Sequence, residues 1–239
     1  IYGGVGRAGG DSGESRPRKI AFAEPYFSTD DDAEFEVEDG LASAILSSRM
    51  SRQGRITMIN RGGGAGYQVC SWCGFGSAPV GGSRGKRSHE DLRRPGRTCE
   101  GPLTNRHLGH EFLTDVVELK IASRFDLDTA YGVLYSLIES SRDLGINREE
   151  LDGTLYVFSK GSSPAIVLFD AVPGGAGHCQ RIARQLPALI QHAFRRADSC
   201  SCGRDTSCYS CLRSYGNQRR HETLDRGRTA DVLAELLRA

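Results

Sequence analysis

Cys200-Ser-Cys202 and Cys208-Tyr-Ser-Cys211 place four thiols within twelve residues. Ser, Gly, Arg, Asp and Thr fill the gap between the pairs, so this stretch is a polar turn rather than core. Zinc takes four soft ligands in a tetrahedron, and two close pairs on a tight loop supply them at little cost in chain entropy. Disulfides would instead call for an oxidising compartment, and the chain carries no signal-peptide pattern or spanning run. Cys200, Cys202, Cys208 and Cys211 are therefore read as ligands of a structural zinc ion in a cytoplasmic protein.

A second set begins with Cys70-Ser-Trp-Cys73-Gly, a knuckle spacing in which Gly74 allows the left-handed turn that aims backbone amides at thiolates. Cys99 offers a third ligand, and the fourth is His89, His107 or His110. His89 is preferred because it shares a polar excursion with Cys99, whereas His107 and His110 stand at the entry to a strand. The cofactor expectation is thus one zinc ion, with a second at Cys70, Cys73, His89 and Cys99. Cys179 has no partner by spacing and is assigned to core.

Other chemistry is weaker. Gly85-Lys86 lacks the Ser or Thr of a phosphate loop, Arg87 standing in its place, so the chain is expected to hold no ATP motor. Asp115 with Glu118 and Lys120 has the residue types of a metal-dependent nuclease, but alternating charges along a strand explain Glu118 and Lys120 equally. The turn Pro173-Gly-Gly-Ala-Gly177 precedes a helix. Its uncovered amides, those near Gly175 and Gly177 above all, could hold an anion, or the glycines could serve only close packing.

These residues need elements to position them. Strands are expected at Arg55–Asn60, His110–Ile121, Thr154–Ser159 and Ala165–Asp170, from their alternating or apolar runs. Helices are expected at residues 41–50, Asp128–Leu144 and Ala176–Arg196, and after Asp225, which is placed as an N-cap. The fold class is mixed α/β, a small sheet with packed helices and one or two zinc-knuckle loops. Residues 1–50 form a Gly-rich and acidic N-terminal segment, and 51–239 the zinc-binding domain. The chain opens on Ile1, which reads as a piece of a longer protein.

Charge is segregated although the net is only +1. Residues 20–48 carry eight carboxylates and no Lys or Arg, whereas Arg181–Arg228 holds ten arginines against four carboxylates. Arginine suits bidentate phosphate contact, so nucleic acid is an expected partner. Arg213, Arg219, Arg220 and Arg226 surround the late cysteines and are the phosphate candidates, with Tyr209 or Tyr215 available to stack on bases.

Leu168-Phe-Asp-Ala-Val-Pro-Gly-Gly-Ala-Gly177, the late cysteines, Tyr215-Gly-Asn-Gln218, His221 and Leu224-Asp-Arg226 together resemble the MrfA-type zinc-binding (MZB) domain. His110-Glu-Phe-Leu-Thr-Asp115 and the Cys70/Cys73 pair also look like that family's earlier elements. The resemblance spans roughly residues 55–238. It implies a non-catalytic, helicase-associated module that works with a superfamily 2 DNA motor, in cis or as a separate subunit. The settings it implies are DNA repair, or phage defence such as DISARM; no apolar run approaches the ~20 residues of a membrane helix, so no membrane partner is expected. The alternative from another class is a protein-docking platform without DNA contact, and metal-dependent nuclease stands third.

Overall fold

A computed structural model of the chain describes residues 24–28, 45–61, 66–77, 88–156 and 164–238. The Gly-rich opening, most of the acidic stretch and the Gly85-Lys86 turn lie outside these residues. Contacts divide the chain into two units: Ile1–Ala23 with Asn60–Leu108, and Glu24–Ile59 with Gly109–Ala239.

The described strands are β1 (Glu24–Ser28), β2 (Leu46–Asn60), β3 (Tyr67–Cys70), β4 (Gly76–Ser77), β5 (His89–Glu90), β6 (Thr98–Cys99), β7 (Leu103–Arg106), β8 (Leu108–Ile121), β9 (Leu151–Tyr156) and β10 (Ala165–Asp170). The α-helices are α1 (Leu127–Ser140), α2 (His178–Arg184), α3 (Leu186–Asp198) and α4 (Arg226–Leu237). The larger unit is built on a five-stranded sheet of order β1-β2-β8-β10-β9. Pairs β1/β2, β8/β10 and β9/β10 are antiparallel. The sheet curls until its two edges meet: the Thr154 hydroxyl donates to the Pro25 carbonyl at 2.8 Å, and the rings of Phe27 and Tyr156 lie edge to face at 5.7 Å.

Each face of that sheet has its own core, because side chains alternate along a strand. Val116, Val167 and Phe169 join Phe27 and Ile56 inside the curl. Val117, Leu119, Ile166 and Leu168 face the other way, under α1, α2, α3 and α4. The carboxylate of Asp126 caps α1 by accepting from the Thr129 amide at 2.7 Å. Asp225 caps α4 as its sequence position predicts, accepting from the Arg228 amide at 2.8 Å.

Two expectations are corrected. Residues 46–50 are the start of β2 rather than part of a helix. Leu46 and Met50, both buried, are four residues apart, a spacing that puts two side chains on one face in a strand as well as in a helix. The expected boundary at residue 50 accordingly falls inside β2. The single helix expected from Ala176 to Arg196 is two helices, broken at Gln185, whose φ of −121° is not helical. Pro187, two residues on, has no amide hydrogen for a continuous helix and is accommodated in the first turn of a new one.

The smaller unit carries two short antiparallel pieces, β4-β3-β7 and β5-β6. Leu103 pairs with Cys70 in the first, and His89 with Cys99 in the second.

Candidate metal centres

The late cysteines form a compact cluster whose four sulfurs lie within 4.8 Å of one another. Four edges of that cluster are Cys200–Cys202 at 3.6 Å, Cys200–Cys208 at 3.5 Å, Cys202–Cys211 at 3.8 Å and Cys208–Cys211 at 3.8 Å. A tetrahedron with Zn–S bonds of about 2.3 Å has edges of about 3.8 Å, so the donor set fits zinc. A tight turn sets the second pair: the amides of Leu212 and Arg213 donate to the Cys208 carbonyl, and the Cys208 amide donates to the Cys211 sulfur at 3.2 Å. Burial raises the Cys208 thiol, but the Ser210 amide and neighbouring thiols outweigh it and bring the group down to about 6. Burial pushes Cys211 up to about 12, so the pair divides into an acidic member and a reluctant one. A cation overrides that division by holding both as thiolates.

The rest of the loop is held from beneath. Cys211, Leu212 and Leu224 pack with Tyr131 and Tyr135 of α1. Asn217, buried, accepts from the Ser214 amide and donates to the Leu212 carbonyl, each at 2.8 Å. His221 Nε2 lies 3.0 Å from the Ser214 carbonyl and 2.9 Å from Asn217 Oδ1; both neighbours are acceptors, so this nitrogen carries the proton.

The early set also converges. Cys70, Cys73, His89 and Cys99 place one ligand atom each within 4.8 Å of the others, so His89 is the histidine brought to the cysteines. Cys73 Sγ lies 3.3 Å from His89 Nε2, and Cys70 Sγ 3.9 Å from Cys99 Sγ. The amides of Trp72 and Gly101 donate to Cys70 and Cys99 at 3.4 Å, and Gly74 turns at φ +79° as a knuckle needs. Phe75 stacks on the His89 ring at 4.7 Å and fixes its plane. His107 and His110 stand beside and within β8, outside this cluster.

The phosphate candidates separate. Arg219 is exposed, and Arg213 is half-buried, donating to the Ser207 hydroxyl at 3.0 Å. Arg220 lies 3.7 Å over the Tyr131 ring and 3.6 Å from Asp128. Arg226 is only 5% exposed, and its guanidinium donates to the carbonyls of Ala197, Asp198 and Cys202. It ties the metal loop to the end of α3 and has no face left for phosphate.

The glycine turn is likewise occupied from within. Asp170 accepts from the amides of Ala176, His178 and Cys179 at 2.6, 3.0 and 2.8 Å. Gly175, at φ +80°, abuts the Asp115 carboxylate so closely that an added Cβ would meet its Cγ at 2.6 Å. The anion reading of Gly175 and Gly177 is corrected: the helix end is satisfied by the protein's own carboxylates, and the glycines permit that approach. Asp115 also receives Gln180 Nε2 at 3.1 Å. Glu118 points to the opposite face of β8 and pairs with Arg49, so the two carboxylates do not converge as a nuclease would require. Burial lifts the Cys179 thiol well above its ordinary range and keeps it protonated in the core.

A cleft of about 630 Å³, not foreseen from residue order, opens beside the late cysteines. It is lined by His192, Arg195, Arg196 and Ser199 of the α3 terminus together with Cys200 and Cys208. Arg196 and His192 both approach Asp143 at 3.8 Å, whereas Arg195 is exposed with no acidic partner among the described residues. Two arginines ending a helix directly before the metal loop were the available signal. Tyr209 and Tyr215 are 59% and 78% exposed, 5.7 Å apart, with His221 edge-on to Tyr209.

Residues 136–212 match the model of the MrfA Zn-binding domain. The match takes in the end of α1, all of α2 and α3 and the four late cysteines, and leaves out α4 and the Cys70 knuckle. The chain is 26% identical to the Druantia protein DruE of Escherichia coli (strain UMEA 4076-1), over 92% of this chain and 14% of that protein. It also superposes on a crystal structure of the DUF1998 helicase MrfA bound to DNA, with a TM-score of 0.52 and 14% identity, over 90% of this chain and 25% of that one. That likeness is one of fold. The chain spans a small part of each of these larger proteins.

Proposed function

We propose that this chain is a zinc-stapled lobe that works with a superfamily 2 ATP-dependent DNA motor, in cis or in trans, and gives that motor a second grip on DNA. The carrying observation is that the stretch matching the MrfA Zn-binding domain contains the whole four-thiol loop and the α3 terminus that lines the cleft beside it. Arg195 and Arg219 are the cations best exposed for phosphate, and Tyr209 and Tyr215 offer apolar faces to bases. The resemblance to DruE favours phage defence over repair as the setting, with Druantia rather than DISARM the nearer analogy. Zinc at both clusters is a cross-link, with no catalytic part.

The docking-platform reading retains one observation in its favour. Arg220 and Arg226, half of the phosphate candidates, are spent on Tyr131, Asp128 and backbone carbonyls. Titration of the zinc-loaded chain with labelled single- and double-stranded DNA at low and physiological salt separates the two. A steep salt slope that Arg195→Ala with Arg219→Ala lowers by about two, one for each phosphate no longer neutralised, supports DNA contact by this lobe. No binding to either DNA at low salt by the zinc-loaded chain supports the platform.

A further inference from the structure

The knuckle at Cys70–Cys73 lies outside the stretch that matches the MrfA domain, and the proposed grip by the late loop makes no use of it. Its turn displays Trp72, the only tryptophan of the chain, at 61% exposure. Leaving an indole in water forfeits its large apolar burial, so a site that fixes it there calls for a reason. Trp72 is fixed: its amide donates to Cys70 Sγ, and its Cβ and Cγ rest against Gly101, where an added Cβ would come within 3.0 and 2.9 Å of them. The metal ligands thus hold the ring outward on a short, rigid turn.

Cations stand on the other arm of the same ligand cluster, on the turn between His89 and Cys99. Residues 91–97 form a closed turn, the Asp91 amide donating to the Arg97 carbonyl at 2.8 Å. The paired strands that close this turn carry His89 and Cys99, and Cys73 Sγ lies 3.3 Å from His89 Nε2, which sets the turn against the knuckle. Leu92 is 57% exposed. Asp91 is buried and takes the Arg93 amide and the Arg94 side chain, leaving the guanidinium groups of Arg93 and Arg97 exposed without an acidic partner among the described residues. Arg106, on β7, is also exposed and without one. Glu90 and Glu100 are the exposed carboxylates of the same stretch. Across residues 60–108 the sequence carries eight Lys and Arg against three Asp and Glu.

We infer that this knuckle is a binding site for single-stranded nucleic acid, in which Trp72 stacks on an unpaired base while Arg93 and Arg97 neutralise the flanking phosphates. An exposed indole and exposed guanidinium groups carried on two arms of one ligand cluster match the two faces of such a strand, one aromatic and one anionic. A duplex offers no free base face to a ring on so short a turn. A protein partner would need an apolar surround, and the exposed 91–97 turn offers Leu92 and Pro95 against Arg93, Arg94 and Arg97.

The single tryptophan makes the test specific. Emission of the zinc-loaded chain is followed while an oligothymidylate is added, in the wild type and in Arg195→Ala/Arg219→Ala, which disables the other proposed contact. Quenching of Trp72 in both proteins, with protection from acrylamide, is the expected result, and Arg93→Ala/Arg97→Ala should weaken the midpoint about tenfold or more at low salt. An unchanged Trp72 emission while a labelled oligonucleotide is demonstrably bound overturns the inference and leaves the proposed grip by the late loop intact. Quenching abolished in Arg195→Ala/Arg219→Ala also overturns it as a separate site. Zinc content measured on each variant confirms that the knuckle is folded.

Discussion

At the scale of single residues, the arginines near the metal loop divide by what their guanidinium groups touch. Arg226 holds three carbonyls that belong to two different segments, Ala197 and Asp198 on one side and Cys202 on the other. Arg226→Ala leaves those acceptors unpaired and should cost about 3 kcal/mol, read as a lower urea midpoint. The carboxylates give a second expectation at this scale. Burial raises the Asp115 pKa, with Asp170 nearby acting in the same direction. The folded state therefore binds this proton more tightly than the unfolded chain, and stability falls as pH rises from the ordinary Asp value of about 3.9 through the raised one. Asp115→Asn removes that contribution, so melting curves of the variant across acid to neutral pH should lose less stability than the wild type. A parallel pair of curves would show that Asp115 contributes nothing to the pH dependence.

At the scale of elements, β2 and β8 meet at a point with no spare volume. A Cβ on Gly54 would lie 2.2 Å from a methyl of Val116. Gly54→Ala should therefore destabilise by roughly 1–3 kcal/mol through overpacking, and Val116→Ala in the same chain should recover part of that loss. Strict additivity of the two in a double-mutant cycle would show that the sheet yields elsewhere. Helix ends follow the same local logic. α1 and α4 carry aspartate caps from their own sequence, but α2 begins at Gly177 without a side-chain cap, and Asp170 from the end of β10 supplies the missing acceptors. That borrowed cap is why a glycine run stands before α2: bulkier side chains would hold the carboxylates away from the amides.

At the scale of the molecule, the metal loop and the helices are one construction within the larger unit. Leu224 packs with Cys211 and Leu212, and Arg226, the first residue of α4, is bonded to the loop backbone. Structural zinc in small sites contributes about 10 kcal/mol or more of binding energy, which is folding energy for the segments it joins. Cys208→Ser, or a strong chelator, should therefore release residues 199–225 and loosen α4. The five-stranded sheet, whose cores contain no metal ligand, should survive. Hydrogen exchange would show this as reduced protection confined to that stretch, and full protection in Cys208→Ser would remove the late cluster as a stabilising centre. Acid should act in the same direction, since protons compete with metal for thiolates.

Much of this was present in residue order alone. Ligand spacing pointed to both clusters, because a tetrahedral zinc ion takes Cys and His donors that come in closely spaced pairs on polar loops. Asp225 as a cap, β10 as a buried strand and the start of α1 followed from short-range pattern and stand where pattern put them, whereas α1 ends at Ser140, with a 3-10 turn over Ser141–Leu144 in place of the last expected turn. What only the folded chain decided were matters of distance between segments far apart in sequence. Leu46 and Met50 belong to a strand because β8, far off in sequence, runs beside β2 in the sheet, the Ala122 amide donating to the Ile45 carbonyl. Gly175 and Gly177 hold no phosphate because Asp115 and Asp170 arrive from two strands to fill that place. Arg226 is buried because α3 and the cysteine loop close over it, although its neighbours in sequence look like any basic surface. Spacing can specify a ligand set, since coordination geometry is local, but whether a charge meets solvent, a strand or its own backbone depends on which surfaces the fold brings together.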